Sequence, residues 1–280
     1  MMTLEAVAMV IVAVYVAARC RLAAKPGRFL LRLGLLVVAS WLAEETAIRA
    51  YGFYAYNPEW TVFVGHVPLA VILIWPGVIH SAWDTTRYLY RVTQRSQAAQ
   101  PQQLPRIWKI AVIGGCFVFS DASLIEPISV QAGLWHWNEP GLFAVPPIGI
   151  LGWAFHAGWC ITVFEANRRA GRSPGADSAI LLLSPVGTHL LLLSTWWVAL
   201  RWVNVPIPPW PVVALAWVLA IVLAARAWRT AARKRIPPAE MWTRVPAALF
   251  FFVLLAMHGR ALPELVAYAF AFAPPYIALT

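Results

Sequence analysis

Residues 108–130 read WKIAVIGGCFVFSDASLIEPISV, an almost unbroken apolar run of the length that crosses a bilayer as a helix. A barrel strand would instead alternate polar and apolar residues over about ten positions. Runs of the same kind recur at 3–19, 29–50, 67–86, 147–167, 178–200, 211–228 and 245–262. Of the 280 residues, 61% are hydrophobic and 12% charged, with a mean hydropathy of +0.67. A water-soluble domain needs more polar surface than that. In lipid the backbone must satisfy its own hydrogen bonds, which leaves helices for runs of this length. The chain therefore reads as an all-α fold, a polytopic membrane helix bundle of about eight transmembrane helices, in one integral membrane domain over 1–280. The tail 263–280 is apolar but carries Pro263, Pro274 and Pro275, and reads as an interfacial or re-entrant piece. No basic region precedes the first apolar run, so no cleaved signal peptide is expected.

The formal net charge is +10, yet the charges lie in short groups between apolar runs. That is a topological pattern and excludes nucleic acid as a partner. With the N-terminus extracytoplasmic, Arg19, Arg21, Lys25, Arg28 and Arg32 fall inside, as do Arg87, Arg91, Arg95, Arg106 and Lys109. Arg168, Arg169 and Arg172 follow, and then Arg226, Arg229, Arg233, Lys234, Arg235 and Arg244. Of the 22 basic residues, Arg49, Arg201 and Arg260 alone remain for the outer half. Eight crossings return the C-terminus to the outer side. The three cysteines, Cys20, Cys116 and Cys160, have no CxxC or metal spacing and read as buried free thiols.

Two outer connections depart from plain linkers. One reads Tyr51-Gly52-Phe53-Tyr54-Ala55-Tyr56 and continues to His66 and Val67-Pro68. The other reads Gly133-Leu134-Trp135-His136-Trp137 and continues to Pro147 and Gly152-Trp153. Single interfacial aromatics are ordinary membrane anchors. Two glycine-aromatic loops on one side are less so, and Gly52 and Gly133 permit turns that fold both inward as a lid.

Ionisable residues inside spans are expensive and mark function by default. Glu44 and Glu45 lie near the outer end of the second span, where Arg49 stands four residues after Glu45 and neutralises one of the pair. Asp121 lies mid-way along the fourth span. Glu126 lies further out, ahead of Pro127, which interrupts the helix there. His156 and His258 fall in outer halves, His189 near a span centre, and His80 with Asp84 forms a structural pair at an inner end. If the second and fourth spans are neighbours, Glu45, Asp121 and Glu126 surround one cavity. Apolar surroundings favour the uncharged acid, the form that donates a proton.

The stretch Glu45 through Trp75 and the stretch Asp121 through Trp153 resemble the membrane-bound carotenoid-biosynthesis family that contains bacterial carotenoid 1,2-hydratases. The shared features are an acidic residue with the Tyr51–Tyr56 aromatics, Val67-Pro68 and Trp75 in the first stretch. The second has an aspartate, an acid before proline, Gly133-Leu134-Trp135-His136-Trp137, Val145-Pro146 and Gly152-Trp153. Together they cover about a quarter of the chain. Two positions differ from the family pattern: Glu126 stands for an aspartate, and Ile148-Gly149-Ile150-Leu151 replaces an Asn-Phe pair.

The resemblance implies an enzyme of the bacterial cytoplasmic membrane acting on a lipid-soluble polyene or isoprenoid, with membrane lipids as its other partners. It implies a hydro-lyase that adds water to a terminal C=C. Such chemistry needs a carboxylic acid, aromatic faces for a tertiary carbocation and one positioned water. Asp121 and Glu126 are the expected acid and water-orienting base, in either order, with Glu45 as the alternative acid. Tyr54, Tyr56, Trp135, Trp137 and His156 would line the substrate pocket. No cofactor or metal is expected. A cyclase or isomerase using the same protonation is the alternative, kept open by the missing Asn-Phe pair. A transporter or receptor is the second alternative; a retinal Schiff base lacks a mid-span lysine, because Lys25, Lys109 and Lys234 all sit at inner edges.

Overall fold

The computed structural model describes residues 1–95, 106–234 and 244–279. The connection 96–105 and Arg235 with the rest of 235–243 lie outside the described residues, as do the side chains of Arg95, Arg233 and Lys234. Helices dominate: α1 Met2–Leu22, α2 Pro26–Tyr51, α3 Leu69–Arg95, α4 Ile107–Gln131, α5 Pro147–Arg169, α6 Ile180–Val198 and α7 Pro209–Lys234. The chain ends in α8 Val245–Leu254, prolonged by a π turn Leu255–Gly259, then α9 Pro263–Phe270 and α10 Ala273–Leu279. Among the described residues, α1, α2, α4, α5, α7 and the stretch Pro174–Val198 containing α6 are long and apolar enough to cross a membrane. Their outer faces carry large apolar side chains open to the surroundings, such as Leu182, Val198 and Ile221. Lipid is the solvent that such a surface fits.

The core is a ring. α2 packs on α3, α3 on α4, α4 on α5, α5 on α6, and α6 back on α2. The second and fourth helices are therefore separated by α3 on one side and by α5 and α6 on the other, which corrects the expectation that they are neighbours. α1 packs outside the ring on α3, and α7 packs against the tail helices α9 and α10. Proline and glycine mark the helix limits. Pro26 and Pro147 occupy first turns, where a missing N–H is harmless. Gly52 caps α2 with φ 61° in the left-handed region, and Gly133 follows α4 with φ 69°.

Four further readings change. Pro127 does not interrupt α4, which continues through it to Gln131. The eighth apolar run forms a helix from Val245 to Gly259, about 22 Å at 1.5 Å per residue, which is short of a bilayer core. Arg244, at its start, bonds Asp121 in the body of α4 rather than facing a loop. The tail then turns back from the other end of α8 and brings Tyr276 to the same Arg244. Of the cysteines, Cys160 is buried, whereas Cys116 is exposed and Cys20 half-buried.

Candidate active site

The two aromatic loops find each other. Tyr54–Tyr56 forms strand β1, Phe63–Val64 with Val67–Pro68 forms the hairpin β2–β3, and Trp135–Trp137 forms β4. β1 and β4 pair antiparallel, with Tyr54 opposite Trp137 and Tyr56 opposite Trp135. Side chains two apart in a strand share a face, so these four rings lie on one face of the ribbon, and all four line the cavity beneath it. His136, on the alternate face, is exposed. Two asparagines fasten the ribbon to its turns. Asn57 Nδ2 donates to the Gly133 carbonyl at 2.8 Å, and Asn138 Nδ2 donates to the Gly52 carbonyl at 2.6 Å. The lid expected from Gly52 and Gly133 is this two-stranded roof across one end of the ring.

Glu126, at 2% exposure, presents its carboxylate to three indoles. Trp135 Nε1 and Trp137 Nε1 donate to Oε2 at 2.8 and 3.2 Å, and Trp153 Nε1 donates to Oε1 at 3.1 Å. Trp153 is itself stacked on Trp75, with centroids 3.3 Å apart. Trp137 runs so close to α5 that a Cβ on Gly149 would lie 2.4 Å from its ring. The Gly149 that departs from the family pattern thus leaves the space this indole fills.

The second acid of this site is Glu44. Its Oε2 accepts hydrogen bonds from Tyr54 and, at 3.0 Å, from Tyr56. Burial, and then the neighbouring Glu44, push both phenols well above their ordinary values, so they remain protonated donors. Glu44 and Glu126 line one cavity of about 70 Å³ together with the four lid aromatics, Trp75, Trp153 and His156. His156 is held at Nε2 by Ser40 Oγ, 3.2 Å, and at Nδ1 by Thr188 Oγ1, 3.5 Å. Among the described residues neither Glu44 nor Glu126 has an ion-pair partner; both are held by neutral donors.

The other two expected acids lie elsewhere. Glu45 accepts from the His66 backbone N–H at 2.7 Å, lies 2.9 Å from His66 Nδ1, and accepts from Arg49 Nε at 2.6 Å. It is the member of the pair neutralised by Arg49, and it fastens the 57–66 loop. Consecutive helical residues point about 100° apart, so Glu44 faces the cavity when Glu45 does not. Asp121 is five residues before Glu126, about 140° around the helix. It faces away from the roofed cavity and accepts two bonds from Arg244 Nη1, at 2.7 and 2.8 Å. That pair lines a separate cavity of about 260 Å³ with Tyr15, Ser81, Phe251 and Tyr276.

Sequence reasoning thus placed Tyr54, Tyr56, Trp135, Trp137, His156 and Glu126 in one site, and the structure brings them together. It passed over Glu44 in favour of Glu45. The spacing of Arg49, noted in the sequence as neutralising one of the pair, matches an i,i+4 partner of Glu45 and leaves Glu44 free to turn inward. Trp153 was read as part of a pattern, and its role as third donor depends on α5 packing on α4.

A family model described as carotenoid biosynthesis protein matches residues 1–222. The chain belongs to the carotenoid biosynthesis protein family. No curated protein and no solved structure matches it. Every residue lining the Glu44–Glu126 cavity lies within the family match, whereas Arg244 and Tyr276 of the larger cavity lie beyond it. Membership gives the chain a carotenoid-related role at the membrane.

Proposed function

We propose that this family member hydrates the terminal C=C of an acyclic polyene, and that Glu44 and Glu126 carry the reaction. The observation that supports this reading is two buried carboxyl groups facing one aromatic cavity with neutral donors and no counter-cation among the described residues. The partners divide the roles. An indole N–H only donates, so it suits a carboxylate and holds Glu126 as the base. A phenol both donates and accepts, so Tyr54 and Tyr56 accommodate Glu44 with or without its proton.

In this mechanism Glu44 transfers its proton to the secondary carbon of the terminal alkene, leaving a tertiary cation. The Glu126 charge and the ring faces of Trp135, Trp137 and Tyr54 stabilise the cation. A water gives its lone pair to the cationic carbon and its proton to Glu126, and return of that proton to Glu44 closes the cycle. The products balance as one polyene and one water giving one tertiary alcohol. The cavity, about 70 Å³, exceeds the ~10–15 Å³ that admits a water. With the arginine-rich end of the bundle taken as cytoplasmic, the roof faces the extracytoplasmic side. A cysteine at position 136 should then react with an impermeant thiol reagent in intact cells, and protection there would reverse the orientation.

Expression in cells that accumulate lycopene tests the chemistry. A gain in mass of one water is expected. Unchanged mass with altered retention would move the reading to a cyclase or isomerase, and unmodified pigment in every polyene background would move it to a non-enzyme.

A further inference from the structure

The opposite end of the ring carries more guanidinium groups than its carboxylates occupy. Arg28 and Arg32 of α2, Arg87 of α3, and Arg168 and Arg169 of α5 converge there, with Arg19 of α1 alongside. They face Asp84, Glu165 and Asp177, so the cations outnumber the anions two to one. Asp177 and Glu165 are fully buried and already served: Arg32 Nε bonds Asp177 at 2.7 Å, and Arg168 Nη2 and Arg169 Nε bond Glu165 at 2.6 and 2.7 Å. Asp84 is held by Arg19 and Arg87. The Arg32 and Arg87 guanidiniums both approach the Trp83 ring, at 4.8 and 5.0 Å from its centroid.

What remains is a set of donors without acceptors. Arg28 Nε, Arg28 Nη2, Arg32 Nη2 and Arg169 Nη2 are buried atoms with no hydrogen-bond partner among the described residues. Arg28 approaches Asp177 only to 3.6 Å, beyond hydrogen-bond length. Each buried unpaired donor carries a desolvation penalty, and that penalty is larger for charged groups. An oxyanion with several acceptor oxygens satisfies such a set, and arginine forks match phosphate oxygens in pairs. Apolar surface adjoins the cluster along the chain: Leu30 and Leu31 follow Arg28 on α2, Leu182 and Leu183 lie on α6 just after Asp177, and all four are exposed. Phosphate beside exposed leucines at the end of a membrane bundle is the chemistry of an anionic phospholipid.

We infer that this arginine cluster is a binding site for an anionic phospholipid, with the headgroup phosphate among Arg28, Arg32 and Arg169 and the acyl chains on the flanking leucines. The site is independent of the polyene cavity at the other end of the ring.

The test uses the full chain in bilayer nanodiscs of phosphatidylglycerol or phosphatidylcholine with matched acyl chains, read by native mass spectrometry and thermal melting. R28Q/R169Q removes two donors but leaves Asp177 with Arg32 and Glu165 with Arg168. Retained phosphatidylglycerol adducts and a higher melting temperature than in phosphatidylcholine are expected for the wild type. At least about tenfold weaker retention is expected for R28Q/R169Q, from the loss of charge-assisted bonds. If the double variant does not fold, R28Q alone is read the same way. Equal retention of the two lipids, or undiminished phosphatidylglycerol on the variant, overturns the inference. Inorganic phosphate that stabilises the protein in phosphatidylcholine as fully as phosphatidylglycerol does would also overturn it, in favour of a free anion.

Discussion

Glu126 and Asp121 stand five residues apart on one helix, both largely buried, and their surroundings could hardly differ more. Glu126 is held by three indole N–H groups and shares its cavity with Glu44. Asp121 is held by a guanidinium, with Tyr276 and Ser81 completing the cluster around Arg244. An acid bound to a cation is committed to its charge, and the pair is a structural unit. An acid bound to neutral donors has no such commitment, and proton transfer is open to it. The nature of the partner separates the two.

The largest expected effects break this contrast at the roofed cavity. Glu126→Gln and Glu44→Gln should each lower hydrated product per folded molecule by about 10²-fold or more, the range of general acid–base catalysis, with melting temperature little changed. A folded variant with near-normal turnover would remove that residue from the chemistry.

Asp121→Asn should do the reverse. It leaves Arg244 buried without a counter-charge, a change that typically destabilises by about 3–5 kcal/mol, while turnover of the molecules that still fold is retained. Asp121→Asn with Arg244→Gln should recover most of the stability, because no buried charge is left alone. Thermal melts of the single and double variants decide this, and a double variant no better than the single one would contradict the structural reading of the pair.

Which parts of this contrast were legible beforehand follows from the physics involved. Helical spans, the arginine grouping and the Gly-aromatic loops were readable because hydropathy and turn chemistry are local. The inward turn of the loops followed from Gly52 and Gly133, whose left-handed φ values need glycine. The placement of Glu44 in the cavity and of Glu45 beside Arg49 was readable in principle from the Arg49 spacing, whereas the expectation put Glu45 in the cavity. The loss of Asp121 from the site was readable from helical angle, since it and Glu126 cannot face one cavity from a regular helix. Arg244 was not legible. Its neighbours in sequence look like the start of a span, and only the packing of α8 against α4, with a tail that folds back, brings it to Asp121. The β1–β4 pairing is likewise a long-range contact between two loops, which no local pattern specifies.

Smaller effects sharpen the picture within the cavity. Gly149→Ala should displace the Trp137 ring, lowering turnover and costing about 1–3 kcal/mol of stability as an overpacked core position. Intrinsic tryptophan emission and melting temperature report it, and an unchanged spectrum with unchanged turnover would show that α5 yields instead. Tyr56→Phe removes one of two phenol bonds to Glu44, worth about 1 kcal/mol, so turnover should fall several-fold rather than a hundredfold. A loss as large as that of Glu44→Gln would make Tyr56 itself a proton carrier.

The central claim is that proton transfer belongs to the acids held by neutral donors and not to the acid held by a cation. The most direct measurement is the rate of hydrated polyene formation, by mass, in membranes carrying equal folded amounts of Glu44→Gln and of the Asp121→Asn/Arg244→Gln pair. The account predicts that the first falls by about a hundredfold or more while the second stays within a few-fold of wild type. A silent Asp121→Asn/Arg244→Gln beside an active Glu44→Gln would contradict it and move the chemistry to the Asp121 cavity.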